Sequence, residues 1–357
     1  MDQRALDDLA QLLPPLLTAL ERLNLLARHF DPPRYVQLME AIGEPDADVR
    51  AALPRLEAWP EDLADVREAV RRAGNAVIAA FEGLRGAAEA EDGLMAVFRA
   101  LRHPPKALEA LYPLAAILPP VSRFFLEPGK RQDTELLNRL ANPQPGAEVG
   151  VFHVGNGPDE RGGFSLYVPE TYSPDRAWPL VFALHGGSGH GRGFLWSWLR
   201  DARALGAILV APTAIGRTWA LTGDDVDSPN LARMVEFVGS RWNIDPDRRL
   251  LAGMSDGGTF AYVSGLETGS PFTHLAPTAA AFHPMLAQFA EPERVNGLPI
   301  HITHGVRDWM FEVGMARTAA RFLETAGANV VYVELPDLAH SYPGELNPQI
   351  LAWLKET

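Results

Sequence analysis

The apolar stretch Leu250-Leu251-Ala252 runs directly into Gly253-Met254-Ser255-Asp256-Gly257-Gly258, placing a serine between glycines two residues away on either side. A serine hydroxyl is a weak nucleophile, so it attacks a carbonyl only when a base takes its proton and a third group orients that base. Both partners appear downstream. Pro299-Ile300-His301-Ile302-Thr303-His304-Gly305-Val306-Arg307-Asp308 reads as a strand whose following loop presents a carboxylate. Val330 to Leu335 reads as another strand, followed by Pro336-Asp337-Leu338-Ala339-His340. The reading is Ser255 as nucleophile, His340 as general base and Asp308 as the acid that holds the imidazole. Asp337 lies three residues before His340 on one loop and suits capping or solvating that loop. His304 precedes Asp308 and His283 follows an earlier strand, so neither fits the base in this order.

Acyl transfer also develops negative charge on the carbonyl oxygen, which preorganised backbone N–H groups stabilise. Leu184-His185-Gly186-Gly187-Ser188-Gly189 follows the first strongly apolar strand, and its glycines let the backbone approach a substrate. We assign one donor to Gly187 and the other to Asp256, the residue after the nucleophile, with Gly186 and Ser188 as neighbours. Candidate pocket residues are His185, Trp219 beyond the strand Ala207 to Ala211, and Trp309 after Asp308. His301 and His304 form an H-x-x-H string, but residues three apart on a strand face opposite sides, and no metal site is expected.

Two rhythms organise the chain around these residues. From residue 5 to about 140 apolar residues recur at helical spacing: Leu6, Leu9 and Leu13 before Pro14-Pro15, then Leu16, Leu20 and Leu23, then Leu63, Val66, Val70, Val77, Phe81 and Leu84. Pro60, Pro105 and Pro119 sit at the edges of such stretches, as proline does in a first helical turn. Ala141-Asn142-Pro143-Gln144-Pro145-Gly146 concentrates chain breakers, and beyond it short β-rich runs alternate with helical ones. Runs such as Leu180-Val181-Phe182-Ala183-Leu184 are apolar throughout, as in strands covered on both faces. The expectation is an all-helical domain over 1–145 and, over 146–357, an α/β domain with a doubly wound, mostly parallel sheet. Acid and base then both follow strand carboxyl ends, where such sheets place their sites.

Composition removes other chemistries. The chain has 357 residues with no cysteine, which excludes disulfides, thiolate nucleophiles and cysteine-ligated zinc. Its net charge is −13 with an acid excess in both parts, so nucleic acid and anionic membrane are unsuitable partners. No run approaches the roughly 20 apolar residues of a membrane span, and the acidic N-terminus lacks the basic region of a signal peptide. A cytoplasmic, bacterial protein is expected, the three lysines (Lys106, Lys130, Lys355) hinting at a GC-rich genome.

H-G-G-S-G, G-M-S-D-G-G preceded by Ile244-Asp245-Pro246-Asp247-Arg248, then H-G-V-R-D and A-H-S-Y-P, resemble the phospholipase/carboxylesterase and feruloyl-esterase or polyhydroxyalkanoate-depolymerase-like branch of the α/β-hydrolases. The resemblance covers about residues 148 to 357. It implies hydrolysis of a small-molecule carboxylic ester, no cofactor and a covalent acyl-enzyme. An acyltransferase or thioesterase, an amidase, and a catalytically idle binding receptor are the competing uses of this scaffold. The first 140 or so residues lie outside the resemblance. They are expected to serve as a lid, with Phe124, Phe125 and Leu126 over the site, or as a stabilising or homodimer-forming element.

Overall fold

The computed structural model describes residues 3–286 and 290–357. The chain divides into two compact units, Met1–Asp133 and Thr134–Thr357. The helix Thr134–Ala141 thus falls with the second unit, although its sequence rhythm groups it with the helices before it.

The first unit is helical. Its longest helices are Gln3–His29 and Ala64–Ala87. Pro14 and Pro15 do not divide the former, which runs on with Leu9, Leu12, Leu13, Leu16, Leu20, Leu23 and Leu26 buried on one face. An internal proline costs a helix about 3 kcal/mol, and the unbroken apolar face offsets it. Leu6 lies outside that face and is exposed. Pro105 and Pro119 stand in the first turns of His103–Leu111 and Pro119–Phe124, where their missing N–H breaks no hydrogen bond. Phe124, Phe125 and Leu126 are buried, and Phe125 packs edge-on against Phe124 and Tyr112 of the same unit. One carboxylate, Asp46, is wholly buried and accepts from Arg85 at 2.7 and 2.9 Å and from Arg50.

The second unit is built on eight strands: β1 Gly150–Val154, β2 Phe164–Val168, β3 Trp178–Leu184, β4 Ile208–Pro212, β5 Ile244–Met254, β6 His274–Thr278, β7 Pro299–Gly305 and β8 Asn329–Leu335. Their order is β1-β2-β4-β3-β5-β6-β7-β8. β2 runs antiparallel to both its neighbours, β1 and β4, and β3 through β8 are mutually parallel. Leu180, Phe182 and Leu184 join one core with residues of the helices Asp227–Arg241, Asp256–Leu266 and Val313–Thr325. Val181 and Ala183 are equally buried and, by strand alternation, face the opposite side. There the helices Leu199–Leu205 and Asn347–Glu356 are joined through Asn347 Nδ2, which donates to Asp201 Oδ2 at 2.9 Å. Helices on both faces explain why β3 is apolar throughout.

The ends of two strands have local causes. β5 starts at Ile244, ahead of the apolar stretch Leu250-Leu251-Ala252, and pairs Ile244 with Trp178 across a register shift. Pro246 has no N–H to give the ladder, which masks that part of the strand in sequence. β6 ends at Thr278, because Ala279 takes a left-handed backbone (φ 48°) and gives its N–H to Thr303 O at 3.0 Å.

Candidate active site

Ser255 stands between β5 and the helix Asp256–Leu266 with φ 56° and ψ −122°, a conformation that is strained for a residue with a Cβ. The turn is held on both sides. Ser255 N–H donates to Thr278 O at 2.9 Å, and Ser255 O accepts from Thr259 N–H at 2.8 Å. Gly257 is required by proximity: a Cβ there would meet the Leu184 and His185 carbonyl oxygens at 2.5 Å. The elbow therefore presses directly onto the end of β3.

Asp308 follows β7 and His340 follows β8, neighbouring strands whose loops are spliced by backbone hydrogen bonds. Val306 N–H donates to Leu335 O at 3.0 Å and Arg307 N–H to Leu338 O at 2.9 Å. A Cβ on Gly305 would collide with the Leu338 carbonyl, so only glycine permits the loops to come this close. The splice brings three side chains into line. Ser255 Oγ is 3.0 Å from His340 Nε2, and His340 Nδ1 is 2.9 and 3.0 Å from the two Asp308 oxygens. All three residues are buried. Asp337 is exposed on the turn after β8.

Asp308 is also held from its own loop, Oδ1 accepting from Met310 N–H at 2.9 Å and Phe311 N–H at 2.8 Å. Burial alone would raise its pKa. Hydrogen bonding from His340, then from Phe311, together with the imidazole's charge and Met310, outweighs burial and holds the carboxyl below the ordinary range. A carboxylate that stays ionised here favours the Nδ1–H tautomer of His340, which turns the unprotonated Nε2 toward Ser255 Oγ. Rings flank the imidazole: Phe311 at 5.5 Å and Trp309 at 5.9 Å between centroids, both edge-on. Trp309 keeps 37% of its surface exposed beside the site.

Among the described residues, no backbone carbonyl accepts from the N–H groups of Gly187 or Asp256. Ser188 differs, since its backbone N–H is taken by Arg217 O at 3.2 Å and is not available to an oxyanion. Gly186 lies beside the nucleophile, its Cβ position 3.5 Å from Ser255 Cβ. The Asp256 carboxylate accepts from the Thr218 hydroxyl at 2.5 Å, tying the start of the helix to the loop after β4.

Two expected pocket residues are placed in the core instead. Trp219 stacks on Phe260 at 5.3 Å, lies 4.9 Å from the His185 ring, and donates Nε1–H to His185 O at 2.8 Å. His185 uses both nitrogens on backbone, Nδ1–H donating to Gly186 O at 2.7 Å and Nε2 accepting from Ala214 N–H at 3.2 Å. Burial pushes its pKa down to about 4. Both rings thus have their polar atoms satisfied inside the protein and support the H-G-G loop from beneath. Sequence spacing cannot distinguish a ring under a loop from a ring lining it.

Arg161 is a residue that sequence reading passed over. Its guanidinium donates to Ala214 O at 3.0 Å, Gly189 O at 3.2 Å and Arg217 O at 3.4 Å, gathering the loops after β3 and β4. A lone arginine before β2 carries no signal of this. His304 was set aside as a base, yet its Nε2 lies 3.4 Å from Asp308 Oδ2; its spacing of four from the acid was the available signal. His301 instead faces Trp353, ring centroids 5.6 Å apart. Among the described residues, no group of three or more histidines and carboxylates is arranged to hold a metal ion, and no helix is long and apolar enough to cross a membrane.

Residues 228–356 match the model of the family described as Phospholipase/Carboxylesterase. No curated protein matches the chain. Among solved structures, it is similar to a thermostable esterase at 20% identity and TM-score 0.45, covering 58% of this chain and 62% of that one. It is similar to the fluorophosphonate-binding serine hydrolase FphF of Staphylococcus aureus at 15% identity and TM-score 0.46, over 57% of this chain and 96% of the other. A truncated carbohydrate esterase from gut microbiota is 14% identical over 60% of this chain and 98% of its own, with TM-score 0.48. The sheet order and the strained elbow give the second unit an α/β-hydrolase fold, and the stretch 228–356 within it matches the Phospholipase/Carboxylesterase family.

Proposed function

We propose that the chain hydrolyses small-molecule carboxylic esters in two acyl-transfer steps, with Ser255 as nucleophile, His340 as general base and acid, and Asp308 as the orienting carboxylate. The observation that carries this reading is the continuous hydrogen-bonded line Ser255 Oγ, His340 Nε2, His340 Nδ1, Asp308, with steps of 3.0 and 2.9 Å. As Ser255 Oγ bonds to the ester carbonyl carbon, His340 Nε2 takes the hydroxyl proton. The carbonyl electron pair moves onto oxygen, where the Gly187 and Asp256 N–H groups receive it. The carbonyl then re-forms, the alcohol departs with the proton from His340, and an acyl-Ser255 ester remains. Water repeats the sequence: His340 accepts its proton, the oxygen attacks the acyl carbon, and the carboxylic acid leaves as Ser255 regains its hydrogen. Asp308 stays ionised throughout and stabilises the imidazolium.

Each oxyanion donor is worth roughly 3 kcal/mol of transition-state stabilisation. The free Gly187 and Asp256 N–H groups and the engaged Ser188 N–H favour the first pair as donors. The edge-on, part-exposed Trp309 ring supports a place for it on the wall beside His340.

The test is covalent labelling by a fluorophosphonate together with turnover of an aryl ester. Ser255→Ala is expected to abolish labelling and to lower kcat by roughly 10⁴-fold or more with an unchanged unfolding midpoint. Stoichiometric labelling that survives in Ser255→Ala would overturn the assignment.

A further inference from the structure

Asp308 faces two imidazoles. Oδ2 lies 2.9 Å from His340 Nδ1 and 3.4 Å from Nε2 of His304, a residue of β7 that is only 1% exposed. The His304 nitrogen is also 2.9 Å from the backbone oxygen of Phe311. A carbonyl oxygen only accepts, so Nε2 of His304 carries a hydrogen. That hydrogen points at Phe311 O and flanks the second carboxylate oxygen.

Phe311 is thereby held at both ends of its peptide units. Its N–H donates to Asp308 Oδ1 at 2.8 Å, and its carbonyl accepts from His304 at 2.9 Å. Its ring stands edge-on to His340 at 5.5 Å. The result is a closed circuit from His304 through Phe311 and Asp308 to His340, anchored in a strand at one end. Without His304, the turn over 308–311 would keep its internal Asp308 bonds but lose its tie to the sheet. The carboxylate and the Phe311 ring, which together set the angle of His340, would then move as one.

Resting on the acyl-transfer reading above, we infer that His304 is a positioning residue that locks Asp308 and Phe311 so that His340 Nε2 is aimed at Ser255. A histidine that merely fills a buried space would affect stability alone. A positioning residue acts selectively on the step in which His340 moves a proton, so it lowers kcat while leaving KM in place.

The experiment compares wild type, His304→Leu and His304→Gln in the full chain. Leucine fills the space without a donor, and the glutamine amide can place an N–H near the position of Nε2. His304→Leu is expected to lower kcat for an aryl ester roughly 10- to 100-fold, as loss of a supporting hydrogen bond does at other sites, with KM within about twofold. Its fluorophosphonate labelling rate should fall in parallel. The downfield proton resonance of His340 Nδ1 bonded to Asp308 should shift or broaden. His304→Gln should restore most of the rate and the resonance. Should His304→Leu fail to fold, His304→Asn, whose shorter amide falls short of Phe311 O, takes its place. Wild-type kcat in the donor-less variant, or a glutamine variant as slow as leucine, overturns the inference while Ser255 labelling of wild type stands. If wild type itself takes no label at Ser255, the acyl-transfer reading fails first and the inference falls with it.

Discussion

The helical unit and the carboxyl edge of the sheet handle backbone strain in opposite ways. Among the described residues, the non-glycine residues with positive φ are Ser188, Ser255 and Ala279, directly beyond or close after β3, β5 and β6. In the helical unit the positive φ belongs to Gly43, where it is ordinary. Strained conformations of this sort cost of order 1–3 kcal/mol each and persist only where the surroundings over-determine them. At the elbow the over-determination is visible: Ser255 is bonded through both N–H and C=O, and Gly257 is jammed against β3. Polar burial differs in the same sense. In the helical unit Asp46 meets arginines and forms a closed structural cluster, whereas Asp308 meets His340, a partner able to pass a proton on. The lesson is that non-glycine strain collects at the carboxyl edge of the sheet, where the buried carboxylate faces an imidazole, whereas the buried carboxylate of the helical unit faces arginines.

The sharpest way to break this contrast is Asp308→Asn, which keeps shape but removes the charge that holds the Nδ1–H tautomer. It should lower kcat/KM by roughly 10³- to 10⁴-fold in steady-state assays, with stability changed far less. A variant within tenfold of wild type would mean that Asp308 is as static as Asp46.

Next in size is an acid sensitivity seated under the H-G-G loop. His185 has a folded-state pKa near 4, lowered mainly by burial and further by Arg161 and His190, while Gly186 works against the shift. The unfolded value is about 6.5, so the neutral buried ring contributes stability fully above that pH. The contribution is lost as pH falls from about 6.5 toward about 4 and amounts to roughly 3 kcal/mol. His274, also lowered to about 4 chiefly by burial, acts in the same window. Urea midpoints measured between pH 7 and 4.5 should fall steadily. A flat series would show that these rings are solvated, since the loss from lowered carboxylates such as Asp308 and Asp46 comes at more acidic pH.

Asp46→Asn should cost about 2 kcal/mol of stability, because charge-assisted bonds to part-exposed arginines are weakened. Chemical denaturation would register it, while kcat on a small aryl ester stays at the wild-type value. A fall in kcat with unchanged stability would instead tie the helical unit to the reaction. Smallest of all is Asp337→Asn, which should leave kcat/KM within about twofold, as a solvent-facing change does. If it matched Asp308→Asn, the acid assignment would move to Asp337.

Much of this architecture is written in local sequence. Alternation of apolar runs with helical stretches after residue 146 announces a sheet covered on both faces, and Gly253-x-Ser255-x-Gly257 announces a sharp turn, because both are consequences of neighbours along the chain. The chain order of Ser255, Asp308 and His340 was likewise legible, each after a strand. Local reading failed where a distant contact chose between equal options. Pro14 and Pro15 look like a helix boundary until the surrounding leucines are buried together. Trp219 and His185 look like pocket walls until Phe260 and the Ala214 N–H close over them. Arg161 belongs to no motif, and the H-G-V-R-D string does not say what His304 bonds, because the importance of both lies in which carbonyls and carboxylate the folded loops bring to them. Sequence by itself determined the residue types, their order and the strands that carry them. Tertiary structure alone decided which donors remain unpaired, which rings are covered and how near the histidines stand to Asp308, since these depend on through-space distances that no spacing along the chain encodes.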